Sequence, residues 1–421
     1  MRTLIVFYLL TTIAIAQEGM PVNVGNGSLP AGLEGETDLN TIKQKRIEAL
    51  QLAVEALRNR YRQGRDQINI LLAAQTKLAI ANLDYTTVKK ERLAHMETAL
   101  ISSLSAWQYL DAREKVGAGR ADEELQARAA VFKFRAMWLA ENAGNSQHPA
   151  NAQEEMLAKV GNGSLPPGLA GETDLNVIKQ KRIEALRDAV EIVRRRYRNG
   201  TDQINILLAP QNELLLANLD STTVKKERLA HIETALINSL STWQDIDVQL
   251  KDGRVRADEE AQARAAVFKF WVMWLAENAG GSQQPANAQE EMLARVGSGS
   301  LPPGLAGKTD LNTIKQKRIE ALRDAVGALR NRYRDGTDQI NILLAAQNEL
   351  MLANLDSTTV KKERLAHIET ALISAISTWQ NLEVRLKVGA GRTDEEVQGR
   401  AAVFNFRAMW LAENAEGRNS H

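Results

Sequence analysis

Cysteine is absent from the 421 residues, so no disulfide staples the fold, and a chain of this length must be held by its packed core. An excess of charge is missing too. Lys and Arg total 53 against 52 for Asp and Glu, which leaves no basic surplus for phosphate contacts and argues against a nucleic-acid partner. No stretch alternates apolar and polar residues with period two, so almost no strand is expected. The only long apolar run is at the start, and nothing later is apolar enough to span a bilayer. No nucleophile-His-acid constellation, glycine-rich phosphate loop or zinc-protease pattern stands out, and the chain reads as non-enzymatic, with no catalytic, cofactor-binding or metal-binding residues assigned.

The initial run follows Met1-Arg2-Thr3 and extends from Leu4 to Ile15, ending Ala14-Ile15-Ala16 before Gln17. A short positive segment, an apolar core and small residues in the Ala-x-Ala arrangement make a secretory signal over residues 1–16, cleaved after Ala16. The alternative is an uncleaved anchor, for which the run is shorter than the roughly 20 apolar residues of a spanning helix. Loss of Arg2 with the signal leaves 52 residues of each charge.

What remains is a repeat. Val24-Gly-Asn-Gly-Ser-Leu-Pro returns at Val160 and, with Ser298 for Asn, at Val296, a constant step of 136 residues. This divides the mature chain into units 17–159, 160–295 and 296–421. The step exceeds the 20–50 residues of common solenoids, so each unit reads as a small helical domain in a tandem array.

Within the first unit, Pro30, Gly32 and Gly35 mark a linker. Thr37-Asp38 then cap a helix carrying Ile42, Ile47, Leu50, Val54, Leu57 and Tyr61 at helical spacing, up to Gly64. From Asp66 a second apolar pattern begins, in which Leu72, Ala79, Thr86, Leu93, Leu100 and Trp107 keep strict seven-residue spacing, the mark of a coiled-coil seam. Unbroken to Lys115, this helix would be on the order of 75 Å long. Asp84-Tyr85-Thr86-Thr87 are residues that compete with the helical backbone and cap helices, so a kink or a new start there is the alternative. Lys89-Lys90-Glu91-Arg92 beyond it read as a solvated face. Gly117-Ala118-Gly119 ends the helix, Asp122-Glu123-Glu124 place acid in the next first turn, and a last helix carries Leu125, Ala129, Phe132, Met137 and Leu139 to Glu141. The linker from Asn142 to Lys159 holds Pro149 and a short helical piece around Gln153 to Leu157. The class is all-α: three tandem copies of a long helical-hairpin, coiled-coil-like unit with no β-barrel.

Three sets of residues invite a chemical reading. His95, His231 and His367 each follow a glutamate by four residues (Glu91, Glu227, Glu363) and share a helix face with it, but no second ligand cluster completes a metal site. Trp107, Trp138, Phe132, Phe134 and their copies lie on helical stripes and read as core, while Trp271 stands in the second unit alone where the others have Arg135 and Arg407, a hint of a local contact. Asn26-Gly-Ser and Asn162-Gly-Ser fit the glycosylation pattern and are read as turns.

Tyr61-x-x-Gly64, then Leu71-Leu72-Ala73-Ala74-Gln75-x-x-Leu78-x-x-Ala81, and later Gly119 followed by Leu125-x-Ala127-Arg128, together resemble the helical hairpins of TolC-like outer-membrane efflux proteins. The resemblance covers most of each unit, although Pro210 and Val255 depart from it in the second. TolC-like channels also insert strands that build a trimeric outer-membrane barrel, and the turns at Gly64 to Asp66 and Gly117 to Asp122 are too short to hold such strands. It implies only the periplasmic helical part. The expectation is an exported envelope scaffold or interaction module, periplasmic and possibly associated with the outer membrane. Its turns would lie at Gly64, Gly200, Gly336, Gly119 and Gly391, and its seam at Leu72, Leu93, Leu100 and Trp107 with their copies. Partners would be helical proteins or further copies docking through coiled-coil faces, with any membrane association indirect. The alternative is a component or adaptor of an efflux complex.

Overall fold

The apolar stripes fold into antiparallel helices in a computed structural model. It describes residue 33 and residues 38–63, 68–143, 165–200, 204–279, 290–291, 294–296, 300–305, 310–334 and 340–415. The signal, the Asn26 and Asn162 sites, Gly64, Gly336, Pro149 and the piece at Gln153 to Leu157 lie outside these, although in the second linker residues 290–291 and 294–296 are helical. Among the described residues there are twelve helices of 18 residues or more and no strand. They are α1 (Leu39–Arg62), α2 (Ile68–Tyr85), α3 (Lys89–Lys115) and α4 (Ala121–Asn142) in the first copy. The second copy holds α5 (Leu175–Arg198), α6 (Ile204–Ser221), α7 (Lys225–Lys251) and α8 (Ala257–Asn278). The third holds α9 (Leu311–Arg334), α10 (Ile340–Ser357), α11 (Lys361–Lys387) and α12 (Thr393–Ala415).

Each first helix starts where its cap dictates. The Thr41 N–H donates to Asp38 Oδ2 at 2.8 Å, the Asn176 N–H to Asp174 at 2.8 Å and the Thr313 N–H to Asp310 at 2.7 Å, each satisfying a helix-end donor. Of the expected stripe, Ile42, Leu50, Val54, Leu57 and Tyr61 are buried and Ile47 is half-buried.

The second segment is not one long helix. It stops at Tyr85 and restarts at Lys89, and Gln75 Nε2 on α2 donates to Ser102 Oγ on α3 at 2.9 Å. In a continuous helix those residues, 27 apart, would be separated by about 40 Å, so the chain has reversed. The reversal is built by Thr86, whose Oγ1 accepts from the Val88 N–H at 3.1 Å and donates to Glu91. Thr222 and Thr358 do the same with Glu227 and Glu363. The seven-residue row survives as a core feature in a different form. Leu72, Ala79, Thr86, Leu100 and Trp107 are all buried, but they face one another across a hairpin instead of forming an external seam. Each copy is therefore an up-down-up-down set of four helices.

At the α3–α4 turn the left-handed residue is Gly117, with Gly253 and Gly389 in the other copies (φ 68°, 70° and 71°), not Gly119 or Gly391. Glycine is kept at the left-handed position, where a side chain is strained; at Gly119 and Gly391 a side chain would meet the backbone of Glu114 and Leu386 at 2.6 Å, so the turn carrying Val255 in the second copy must differ locally. Gly200, at φ 71°, ends α5 in the same way.

Helices α4, α8 and α12 bury nearly every face, which is the behaviour of helices packed on several sides. α4 packs on α3 and α2 within its copy and on α5 of the next; α8 packs likewise on α9, and α12 packs on α1. The order of neighbours thus closes on itself. Cores cross the copy boundaries accordingly: Leu169 and Ile178 join the first copy's cluster, Leu305 and Ile314 the second's, and Leu33 and Ile42 the third's.

Two outcomes follow. Leu100 is 2 % exposed amid this core, so Leu100→Ala should cost about 2–5 kcal/mol; a melting temperature equal to that of the parent protein would refute the packing. Residues 160–295 expressed alone should leave the outer faces of α5 and α8 uncovered and associate as trimers in sedimentation velocity, whereas a stable monomer would show that the copies do not depend on one another.

Candidate functional site

The sequence readings of single residues resolve into structural roles. His95, His231 and His367 are half-buried, and Glu91, Glu227 and Glu363 are spent on the threonines of the reversal. Burial lowers the His367 pKa, opposed by the charge of Glu363. No group of three or more His, Asp or Glu side chains among the described residues is gathered so as to hold a metal ion. Trp107, Trp243 and Trp379 are buried, and the last two donate Nε1–H to Glu260 at 2.8 Å and Glu396 at 2.7 Å. Phe132 and Phe134 are buried with them. Trp271 is explained by its neighbour. It stacks on Trp274 at 5.1 Å and 7°, whereas Arg135 and Arg407 lie over Trp138 and Trp410 at 5.0 and 4.9 Å. A cation–π contact in the first and third copies is replaced by an aromatic stack in the second. The Arg135 pKa falls to about 10 through burial.

The charge run is a solvated face apart from its arginine. Lys89, Lys90 and Glu91 are exposed, but Arg92 donates Nε–H and Nη2–H to the two carboxylate oxygens of Glu141 at 3.1 and 3.2 Å, and Arg228 and Arg364 hold Glu277 and Glu413 in the same fork. Planar, bidentate pairing of this kind ties the start of each third helix to the end of the fourth.

The polar features that the periodicity did not reveal lie between copies. Asp122 heads α4, where acid complements the helix dipole, but it is also buried, 2 % exposed, and is held by Arg120 at 2.8 Å and by Arg196 of the next copy at 3.1 Å. Asp258 is held by Arg332 at 2.9 Å, and Asp394 by Arg60 at 3.8 Å. One ion pair thus occurs at all three junctions, including the one that joins the third copy to the first. The repeated Arg-Tyr at the end of each first helix, Arg60, Arg196 and Arg332 before their tyrosines, was the available signal; nothing in one copy says that its partner is in another. Next to this pair burial raises the Glu123 and Glu395 carboxyls above their ordinary value, against the opposing charges of Arg120 and Arg392.

A second charged set sits midway along α4. Lys133 Nζ and Arg182 Nη2 both donate to Glu213, at 3.2 and 2.8 Å, bringing together α4, α5 and α6. Lys269 and Arg318 grip Glu349 at 3.2 and 3.0 Å in the same way. Burial alone would raise the Glu213 and Glu349 carboxyls, but the paired cations outweigh it and hold both below the ordinary value of 4.5.

One groove is polar enough to take a small ligand. It measures about 180 Å³, runs between α5 and α7 over Leu207, and is lined by Arg194, Tyr197, Ser241, Asp245 and Arg295. Its charges neutralise one another in part, with Arg198 3.8 Å from Asp245. No described helix is long and apolar enough to cross a membrane. No known family model and no curated protein matches the chain.

Glu213 has a depressed pKa in the folded state, so its contribution is present above pH 4.5 and fades as pH falls through the lower folded value. Its side chain is 39 % exposed, which limits the effect to about 1 kcal/mol. Glu213→Gln should be less stable than the parent at pH 7 by this amount, and the gap should narrow below pH 4.5 in denaturant titrations; a gap independent of pH would refute the ionic role.

Proposed function

We propose that the chain is an exported, non-enzymatic scaffold of the cell envelope, built from TolC-like helical units and acting by presenting helical surfaces to partner proteins or to further copies of itself. The observation that carries this reading is the packing order, in which repeated units resembling TolC-like hairpins close on one another. Because Leu72, Leu100 and Trp107 are spent on the protein's own core, partners meet other residues. The most regular of these are Val88, Val224 and Val360, which are 53 %, 52 % and 53 % exposed at the three helix reversals. They recur at equivalent places, all at the end where the first helices begin, since Lys43, Lys179 and Lys315 donate to the carbonyls of Asp84, Asp220 and Asp356 beside them. Three copies of one apolar tip suit a partner with matching repetition.

A second reading, an adaptor within an efflux complex, draws on the same closure. TolC-like channels are trimers, and three copies joined in one chain and packed end to end are what such an assembly would look like when fused.

Both readings place residues 1–16 as a cleaved signal. The test is expression in a bacterial host, membrane fractionation and mass spectrometry of the product. A mature protein beginning at Gln17 and released by a carbonate wash is expected for the scaffold. A mature product held until detergent is added would overturn the scaffold reading and favour the membrane complex, and a product retaining residue 1 would overturn the cleaved signal that both readings share.

A further inference from the structure

The three junctions between copies share the aspartate–arginine pair but differ in the charged set midway along the fourth helix. At the junctions made by α4 with α5 and by α8 with α9, a glutamate is gripped by a lysine and an arginine, as described above. One repeat away, at the junction of α12 with α1, the same positions carry different residues: Lys77 stands where Glu213 and Glu349 do, Asn405 where Lys133 and Lys269 do, and only the arginine, Arg46, is kept. The carboxylate has been removed and a cation put in its place.

The arginine shows what is missing. Arg318 uses Nη1 for Asp356 at 3.5 Å and Nη2 for Glu349 at 3.0 Å. Arg46 makes the first of these contacts, Nη1 to Asp84 at 3.6 Å, and among the described residues no carboxylate takes the second. Its side chain is 17 % exposed. Lys77 is exposed and has no hydrogen-bonding or ion-pair partner among the described residues. Desolvation of its ammonium, followed by the like charge of Arg46, lowers its pKa. Asn405 spends its amide on a 3.8 Å contact with the sulfur of Met409, which leaves a neutral donor on the facing helix.

We propose that Lys77 and Arg46 form a binding site for a small oxyanion, a free phosphate or a carboxylate, which takes the place of the glutamate carboxylate present at the other two junctions. The ligand would accept from Lys77 Nζ and from the Nη2 of Arg46, the pair of donors that charge-assisted recognition of an oxyanion requires. Binding there ties α2 to α1 at the one junction where no linker joins the two copies. This site does not depend on the scaffold reading and holds for the efflux reading equally.

The full-length protein without its signal should be titrated by calorimetry with inorganic phosphate and, separately, with succinate, each at ionic strength fixed with sodium chloride. One saturable site per chain is expected in at least one arm, and the arm that responds identifies the class. Lys77→Glu should abolish it and, because it restores the glutamate beside Arg46, should raise the melting temperature in anion-free buffer to that reached by the parent protein with saturating anion. Lys77→Gln should weaken binding at least tenfold without that rise. No saturable binding in either arm, or binding unaltered in both variants, would overturn the proposal.

Discussion

The first helix of each copy buries Val54, Leu57 and Tyr61 or their counterparts within its own copy but leaves its first half uncovered there, and the rest of the architecture follows from that. Ile42, Ala49 and Ala53 on α1 are covered by a cluster from the third copy that includes Phe404 and Phe406 on α12. Ile178 and Ile314 are covered by the first and second copies in turn. A fully buried isoleucine is worth about 1.5–3 kcal/mol relative to an exposed one, and each first helix carries several such residues. A row of such copies has two unsatisfied ends, one at α1 and one at α12. Packing the ends together removes both, so a chain of three copies closes where a chain of beads would leave apolar surface in water.

Burial alone does not say how two helices should be rotated or offset, because the hydrophobic effect has no direction. The acid at the head of each fourth helix supplies that information. Asp122, Asp258 and Asp394 are nearly removed from solvent, and an unpaired carboxylate at that depth would be costly. Each is already paired with an arginine of its own copy, Arg120, Arg256 or Arg392, and its second contact, to the arginine ending the next first helix, forms only at the observed offset. The arrangement is a constraint on register more than a source of stability, since a buried ion pair recovers little beyond its own desolvation.

Much of the fold was legible residue by residue, and little of it pair by pair. The apolar stripes, the aspartate caps and the helix ends were readable because they are set by neighbours three or four positions away. The reversal at Thr86 to Val88 was half legible: Asp-Tyr-Thr-Thr announced competition with the helix, but a kink, a restart and a full turn use the same residues. A strict heptad row also fits a straight seam and a folded hairpin equally, since both bury Leu72 and Trp107. The charged junctions were not legible at all. Asp122 reads as a dipole partner of its own helix and Arg196 as a basic helix end, and their meeting depends on which copy packs beside which.

The differences among copies carry a further consequence for assembly. Near-identical repeats risk pairing out of order, since any fourth helix offers the same apolar face to any first helix. If the first copy's α1 and α2 were docked on α4 or α8, Lys77 would meet Lys133 or Lys269, a like-charge contact in a crowded setting. If the second copy were docked on α12, Glu213 would meet Asn405 and lose one of its two cations. The exposed Leu52, standing where Asp188 and Asp324 do, acts in the same sense: Arg264 pairs with Asp324 across its junction at 3.1 Å, and Arg400 meets no such acid at the closing one. Discrimination of this kind needs a penalty for the wrong neighbour as well as a reward for the right one. The substitutions at positions 52, 77 and 405 are placed to supply such a penalty, since they fall where the closing junction of α12 with α1 differs from the other two.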